Sequence, residues 1–212
     1  MGKNDKKQYV VKNIVKSINL AALSIYSLPY IVYPLVMSQN LNNGLMHITG
    51  LFYSSGDFIA LMYVKDLPST TKNHHKVTVF FSFLSLGIDF NNSSLGKLLF
   101  VYTMASANAF IVNYHLGSRF LYDKEDTLYM KKKARDVYGL TLFFNWGWHV
   151  YWFITNFNDL AIEHFFYLCI LYPIVKDDII LFSWFQENRK QVSILHNIGQ
   201  IMLVLLLIYY LL

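Results

Sequence analysis

The chain has 212 residues, 55% of them hydrophobic, 17% aromatic and 15% charged, with one cysteine and a formal net charge of +5. Soluble globular domains carry about 25% charged and about 45–50% apolar residues, so this composition argues against a water-soluble enzyme, a disordered tail and a disulfide-stapled secreted module. The length is that of one domain, 1–212, and the lone Cys169 leaves no internal bridge to form.

A helix crossing about 30 Å of hydrocarbon needs roughly 20 apolar residues. In chain order the candidate runs are 18–37, interrupted by Pro29 and Pro34; 45–64, with Asp57 inside it; and 74–90, opening on two histidines. They continue with 95–116, 137–157, a short 160–175, and the nearly unbroken apolar tail 192–212. Backbone facing lipid must satisfy its own hydrogen bonds, so such runs are read as helices. No strand-like alternation competes with that reading. The prediction is an all-α transmembrane bundle of about seven spans.

Basic residues test the parse, because lysine and arginine collect on the cytoplasmic side. With the N-terminus inside, the cytoplasmic segments are 1–17, 65–76, 117–136 and 176–191. They hold 17 of the 18 basic residues, leaving only Lys97 on the far side. The expected orientation is N-terminus cytoplasmic and C-terminus on the far side. The run from Lys131 to Arg135 precedes a span, where about 1 kcal/mol per basic residue of attraction to anionic lipid is expected. The positive charge is thereby accounted for, and no nucleic-acid partner is expected.

Polar residues inside apolar runs carry the functional signal, since an ionisable group in a span costs about 2.5–3.5 kcal/mol on insertion scales. Asp57 lies roughly 10 Å inside its run at about 1.5 Å per residue. It either holds the bundle together through a hydrogen bond or serves a site. His74 and His75 open the next run. Adjacent helical residues diverge by about 100°, so the pair cannot chelate one ion as an i,i+4 pair would. No metal site is expected. One imidazole could face inward as acid, base or nucleophile with its neighbour orienting it; the alternative is a marker of the membrane interface. Asn108, Val112 and His115 share a helical face, and Asn145 and His149 pair at i,i+4 among tryptophans. Buried amides and imidazoles commonly bridge helices. Asp57, His74, His75 and His115 fall in the same half of three successive runs, which points to a polar cavity reached from the cytosol.

Three stretches resemble the TLC domain, the membrane module shared by translocating-chain-associated proteins, Lag-type ceramide synthases and smaller lipid-handling proteins. They are Tyr53-Ser-Ser-Gly-Asp57, His74-His75-Lys-Val-Thr78, which is similar to the family's H-H-x-x-T, and Thr103 through Phe110 continuing to Asn113-Tyr-His115. The likeness covers 45–157. It implies a helical membrane fold of an ER-type endomembrane, with membrane lipid as partner and no cofactor. If the synthases' acyl-CoA-dependent acylation carried over, the resemblance would place it on His74 and His75, with Asp57 in support. Those synthases follow the paired histidines with an H-D-x-x-D segment; here the acidic residue between His75 and Asp123 is Asp89, outside that segment. The expected role is therefore lipid binding, sensing or organisation, with Asp57, His74, His75, Asn108, His115, Asn145 and His149 as candidate ligand-facing residues. An acyl-CoA-dependent acyltransferase and an accessory subunit of a membrane complex are the alternatives.

Overall fold

A computed structural model of the chain describes residues 3–37 and 39–186, and every regular element among them is helical. Helix α1 (Lys3–Ser27) runs into a π-helical turn, Leu28–Val32, and a short α2 (Tyr33–Val36). Pro29 and Pro34 lack the N–H groups that a regular helix would use there. The remaining helices are α3 (Asn43–Tyr63), α4 (Ser69–Ser85), α5 (Ser94–Asn108), α6 (Phe110–Ser118), α7 (Lys124–Thr155) and α8 (Ile162–Gln186).

Local chemistry sets several of the starts. Asn42 accepts the Leu45 N–H at α3, Ser93 accepts the Gly96 N–H at α5, and Asp123 accepts the Asp126 N–H at α7. A side-chain oxygen at this position satisfies one of the orphan donors of the first turn. Glu125 and Asp126 add negative charge at the positive end of α7.

Helix α1 packs on α6 and α3, α3 on α4, α4 on α8, and α7 lies against α5, α6 and α8. The α1–α6 approach is close: a Cβ at Gly117 would stand 3.1 Å from the Val10 carbonyl oxygen and from Ile14 Cδ1. The missing side chain lets the turn of α1 bearing Lys12 and Lys16 settle against the end of α6, where Arg119 sits. The apolar core forms two clusters. The larger gathers Tyr53, Phe81, Leu98, Tyr102, Tyr167 and Ile174; the smaller gathers Ala109, Val112, Ala134, Tyr138 and Phe185. A polar layer, described below, touches both.

The expected seven-span bundle is not what the chain forms. Among the described residues no single helix is long and apolar enough to cross a membrane; α5 and α6, bent by 42° at Ala109, meet that requirement only as a pair, by length and composition. The run 45–64 does form one helix, α3, but His47, Ser54, Ser55 and Asp57 lower its apolar character; other runs and helices do not coincide. The run 137–157 is the second half of α7, whose first half is charged, and 160–175 continues through Lys176, Asp177 and Asp178 inside α8. The run 95–116 is broken in two, and 18–37 is interrupted by the π turn. The seventh run, 192–212, lies outside the described residues. The exterior nonetheless carries many large apolar side chains, with Ile25 72%, Phe143 71% and Phe144 67% exposed.

Candidate functional site

Four helices aim charged side chains at one polar layer. Helix α1 supplies Lys12, Asn13 and Lys16; the two lysines share a face because they are four residues apart. Helix α3 supplies Asp57, which is wholly buried. Helix α4 supplies His74 and His75, and α8 supplies Asp177 and Asp178. Together with Tyr138 and Asn145 of α7 and Arg119 at the end of α6, they surround a cavity of about 420 Å³, with Asp57 set behind Lys16 and His75.

The roughly 100° between adjacent helical residues sends the two histidines to different carboxylates. His74 Nδ1 donates to Asp177 Oδ2 at 3.1 Å, and Thr71 Oγ1 donates to Asp177 Oδ1 at 3.0 Å. His75 Nδ1 lies 2.7 Å from Asp57 Oδ1; burial, only partly offset by the Asp57 charge, brings His75 down to about 4, so near neutral pH a neutral imidazole faces the carboxylate. Lys16 Nζ donates to the same Asp57 oxygen. Asp178 Oδ1 accepts from the Tyr138 hydroxyl at 2.7 Å.

These surroundings set the charges. Burial works against ionisation of Asp177, but the hydrogen bond from His74, the His74 charge and the hydroxyls of Thr70 and Thr71 outweigh it and hold the carboxyl below its usual range. Burial pushes Asp178 up to about 6, against the opposing pull of His74 and Tyr138. On α1, burial first and the Lys16 charge second bring Lys12 down to about 8, although Asp57 and Asp177 act in the other direction. A charge maintained against desolvation recurs at functional sites.

Several buried polar atoms around the cavity have no hydrogen-bond partner among the described residues: Asn13 Oδ1, His75 Nε2, Asn145 Oδ1 and Arg119 Nε, with Asp57 Oδ2 just behind. Leaving such a group unpaired costs about 1–3 kcal/mol, more when it is charged. The cavity wall therefore keeps hydrogen-bonding capacity that the described residues leave unmet.

Of the candidates read from the sequence, Asp57, His74, His75 and Asn145 come together here. The other three do not. Asn108 Nδ2 donates to the Met104 carbonyl within its own helix. His115 is buried against the rings of Trp184 and Phe185. His149 Nδ1 donates to the Asn145 carbonyl at 2.7 Å, so its Nε2 accepts from the Tyr167 hydroxyl at 2.9 Å. That pair closes the imidazole inside the larger apolar cluster. Neither histidine faces the cavity.

Sequence reasoning missed Lys12, Asn13, Lys16, Tyr138, Asp177 and Asp178. Two signals were available: the i,i+4 spacing of Lys12 and Lys16 beside Asn13, and the three consecutive charges Lys176, Asp177 and Asp178 between apolar stretches of α8. Both fall in the segments 1–17 and 176–191, which the sequence reads as cytoplasmic. Asp177 also answers the acidic partner missing near the paired histidines, from a helix about a hundred residues further on.

Chemically, the Asp177–His74 pair has the makings of a general base. That role needs the neutral imidazole: with Nδ1 donating to the carboxylate, Nε2 is then the basic nitrogen, and the Tyr102 hydroxyl lies 3.5 Å from it. Among the described residues no three His, Cys, Asp or Glu side chains converge as metal ligands. Comparison with protein-family models, curated proteins and solved structures finds no match to this chain, so the likeness to the TLC domain has no support beyond the motifs themselves.

Proposed function

We propose that the chain binds the polar end of a lipid in the cavity between α1, α4, α7 and α8. The observation that carries this reading is the set of unpartnered buried polar atoms lining a cavity of about 420 Å³. That size is within the roughly 300–1,000 Å³ range of ligand pockets, enough for a headgroup and the first part of a chain. The walls support an amphiphile rather than a purely polar solute: Val112, Leu116, Leu142 and Leu181 stand beside the charged groups. The apolar exterior supports work at a membrane, on this reading an endomembrane with the cavity turned to the cytosol. A TLC-like role in sensing or organising lipid is part of the same proposal.

Mass spectrometry of lipid co-purifying with the full chain tests it. Wild type is expected to retain a lipid class, and Ser106→Trp, which projects a large ring into the cavity, is expected to lose at least nine-tenths of it (on the order of a tenfold drop, as for one lost buried contact of about 1.4 kcal/mol). Equal retention by both proteins would sink the reading.

The Asp177–His74 pair favours a second reading, transfer of an acyl group from acyl-CoA to a lipid amine or hydroxyl. His74→Ala and Asp177→Asn should then each reduce turnover by about 10²–10⁴-fold, the usual contribution of a positioned general base. An absence of turnover by wild type with a range of acyl-CoA and lipid acceptors would leave binding alone.

A further inference from the structure

The cavity has depth as well as width. Its lining follows successive turns of α1 from Tyr9 through Lys12 and Lys16 to Leu20, roughly 16 Å at about 1.5 Å per residue. At the inner end Leu20 is joined by Tyr53 and Ser106. Tyr53 also lines a second cavity of about 30 Å³, and among the described residues it alone lines both. The second lies further along the same helices: on α4, His74 and His75 line the first cavity, and Thr78 and Phe81 line the second. A third cavity, of about 230 Å³, shares Phe90 and Phe100 with the second. Three cavities thus stand in file, and Tyr53 divides the first from the others.

The dividing ring is buried and held. It meets the Tyr102 ring edge-on, with centres 6.0 Å apart and planes at 84°, and the two hydroxyls lie 3.5 Å apart. Behind it the second cavity is walled by Met46, Leu99, Phe100 and Met104 as well as Phe81. Four hydroxyls of that wall are spent on backbone: Thr78 donates to the His74 carbonyl, Ser82 to Val79, Ser85 to Ser82 and Thr103 to Leu99. A polar solute finds few donors there, whereas hydrocarbon needs none.

We infer that Tyr53 is the stop that limits how long a lipid chain the cavity accepts. This rests on the lipid-binding proposal. With the polar end held at the charged layer, the chain runs inward past Val112 and Leu20 and ends against the Tyr53 ring. Truncating that ring joins the first cavity to the apolar second and lets a longer chain in.

Competition between chain lengths tests this. The full chain in non-ionic detergent is offered an equimolar mixture of monoacylglycerols, lysophosphatidates and alkylamines, each from octyl to octadecyl, and retained lipid is measured by mass spectrometry. The ratio of variant to wild type at each length cancels partition into detergent. For Tyr53→Ala that ratio is expected to be level up to a limiting length. Beyond it the ratio should rise about fourfold per added carbon over at least the first two, the usual worth of a buried methylene. Tyr53→Phe, which keeps the ring and loses the hydroxyl, should show the wild-type limit. Met104→Ala, behind the stop, should not move the limit alone but should extend the gain when combined with Tyr53→Ala. Circular dichroism confirms folding, and Tyr53→Leu carries the same test with a smaller gain if the alanine variant does not fold. A ratio that stays level at every length, or a limit that moves as far in Tyr53→Phe, overturns the stop while lipid binding stands. Retention of no lipid by wild type overturns both proposals.

Discussion

Asp57→Ala is expected to destabilise the protein by about 3–5 kcal/mol, the usual cost of stranding one member of a buried ion pair. The carboxylate is wholly buried, and it pairs with the Lys16 ammonium of α1 while the His75 imidazole of α4 stands against it. Removing it leaves a lysine that is 8% exposed with no counter-ion. The cost comes from the stranded charge more than from the lost attraction. Replacing both members, as Asp57→Leu with Lys16→Met, should therefore recover most of the loss and bring stability to within about 1 kcal/mol of wild type or above it. Thermal or denaturant unfolding of the two single variants and the double variant measures the coupling directly. A single Asp57→Ala variant within about 0.5 kcal/mol of wild type would show that the pair does not exist as described. The double variant also separates structure from function. If it folds normally and no longer retains lipid, the pair is kept for the site, because stability alone would be as well served by two apolar residues.

Asp178 gives the second large effect, and its sign is opposite to that of an ordinary ion-paired carboxylate. Burial places its folded-state value at about 6, above the 3.8 of a free aspartate. The folded state therefore holds an extra proton between about pH 4 and 6, and its stability falls as pH rises through that window. The gap corresponds to roughly 3 kcal/mol. Asp178→Asn keeps an acceptor for the Tyr138 hydroxyl and removes the titration. The variant should match wild type near pH 4 and exceed it by up to roughly 3 kcal/mol at pH 7. His74, Tyr138 and Asp177 face this carboxyl. The Asp178 charge is among the groups that hold the His74 imidazole above its usual range, so the difference reports the two groups together. Unfolding free energies at pH 4, 5, 6 and 7 test this, and a difference that does not change with pH would refute it. A carboxylate retained at such a cost belongs with the stability that proteins give up for function.

Part of this was legible from residue types alone. A single aspartate in an apolar run has to find a cation or a donor, and His74 and His75 cannot lie on one helical face. Those two statements need no neighbouring helix, and the structure groups all three residues. Asn145 reached the same cavity by the general rule that buried amides seek partners. His149 obeyed that rule too, yet found Tyr167 inside an apolar cluster instead. Spacing within one helix says which residues share a face; it says nothing about which neighbour covers that face.

The same boundary separates the helices from the spans. Apolar periodicity and capping residues such as Asn42, Ser93 and Asp123 are local properties, and helical structure follows from them. Whether an apolar run is a whole helix depends on the residues flanking it, and in α7 and α8 charged turns extend the helix beyond the run. The pairing of charges is decided further away still. Lys16 and Asp57 are separated by 41 positions, and His74 and Asp177 by 103. A sequence by itself determines that such buried charges must be compensated, because water is no longer there to do it. Only the packing of α1 on α3 and of α4 on α8 decides which charge compensates which.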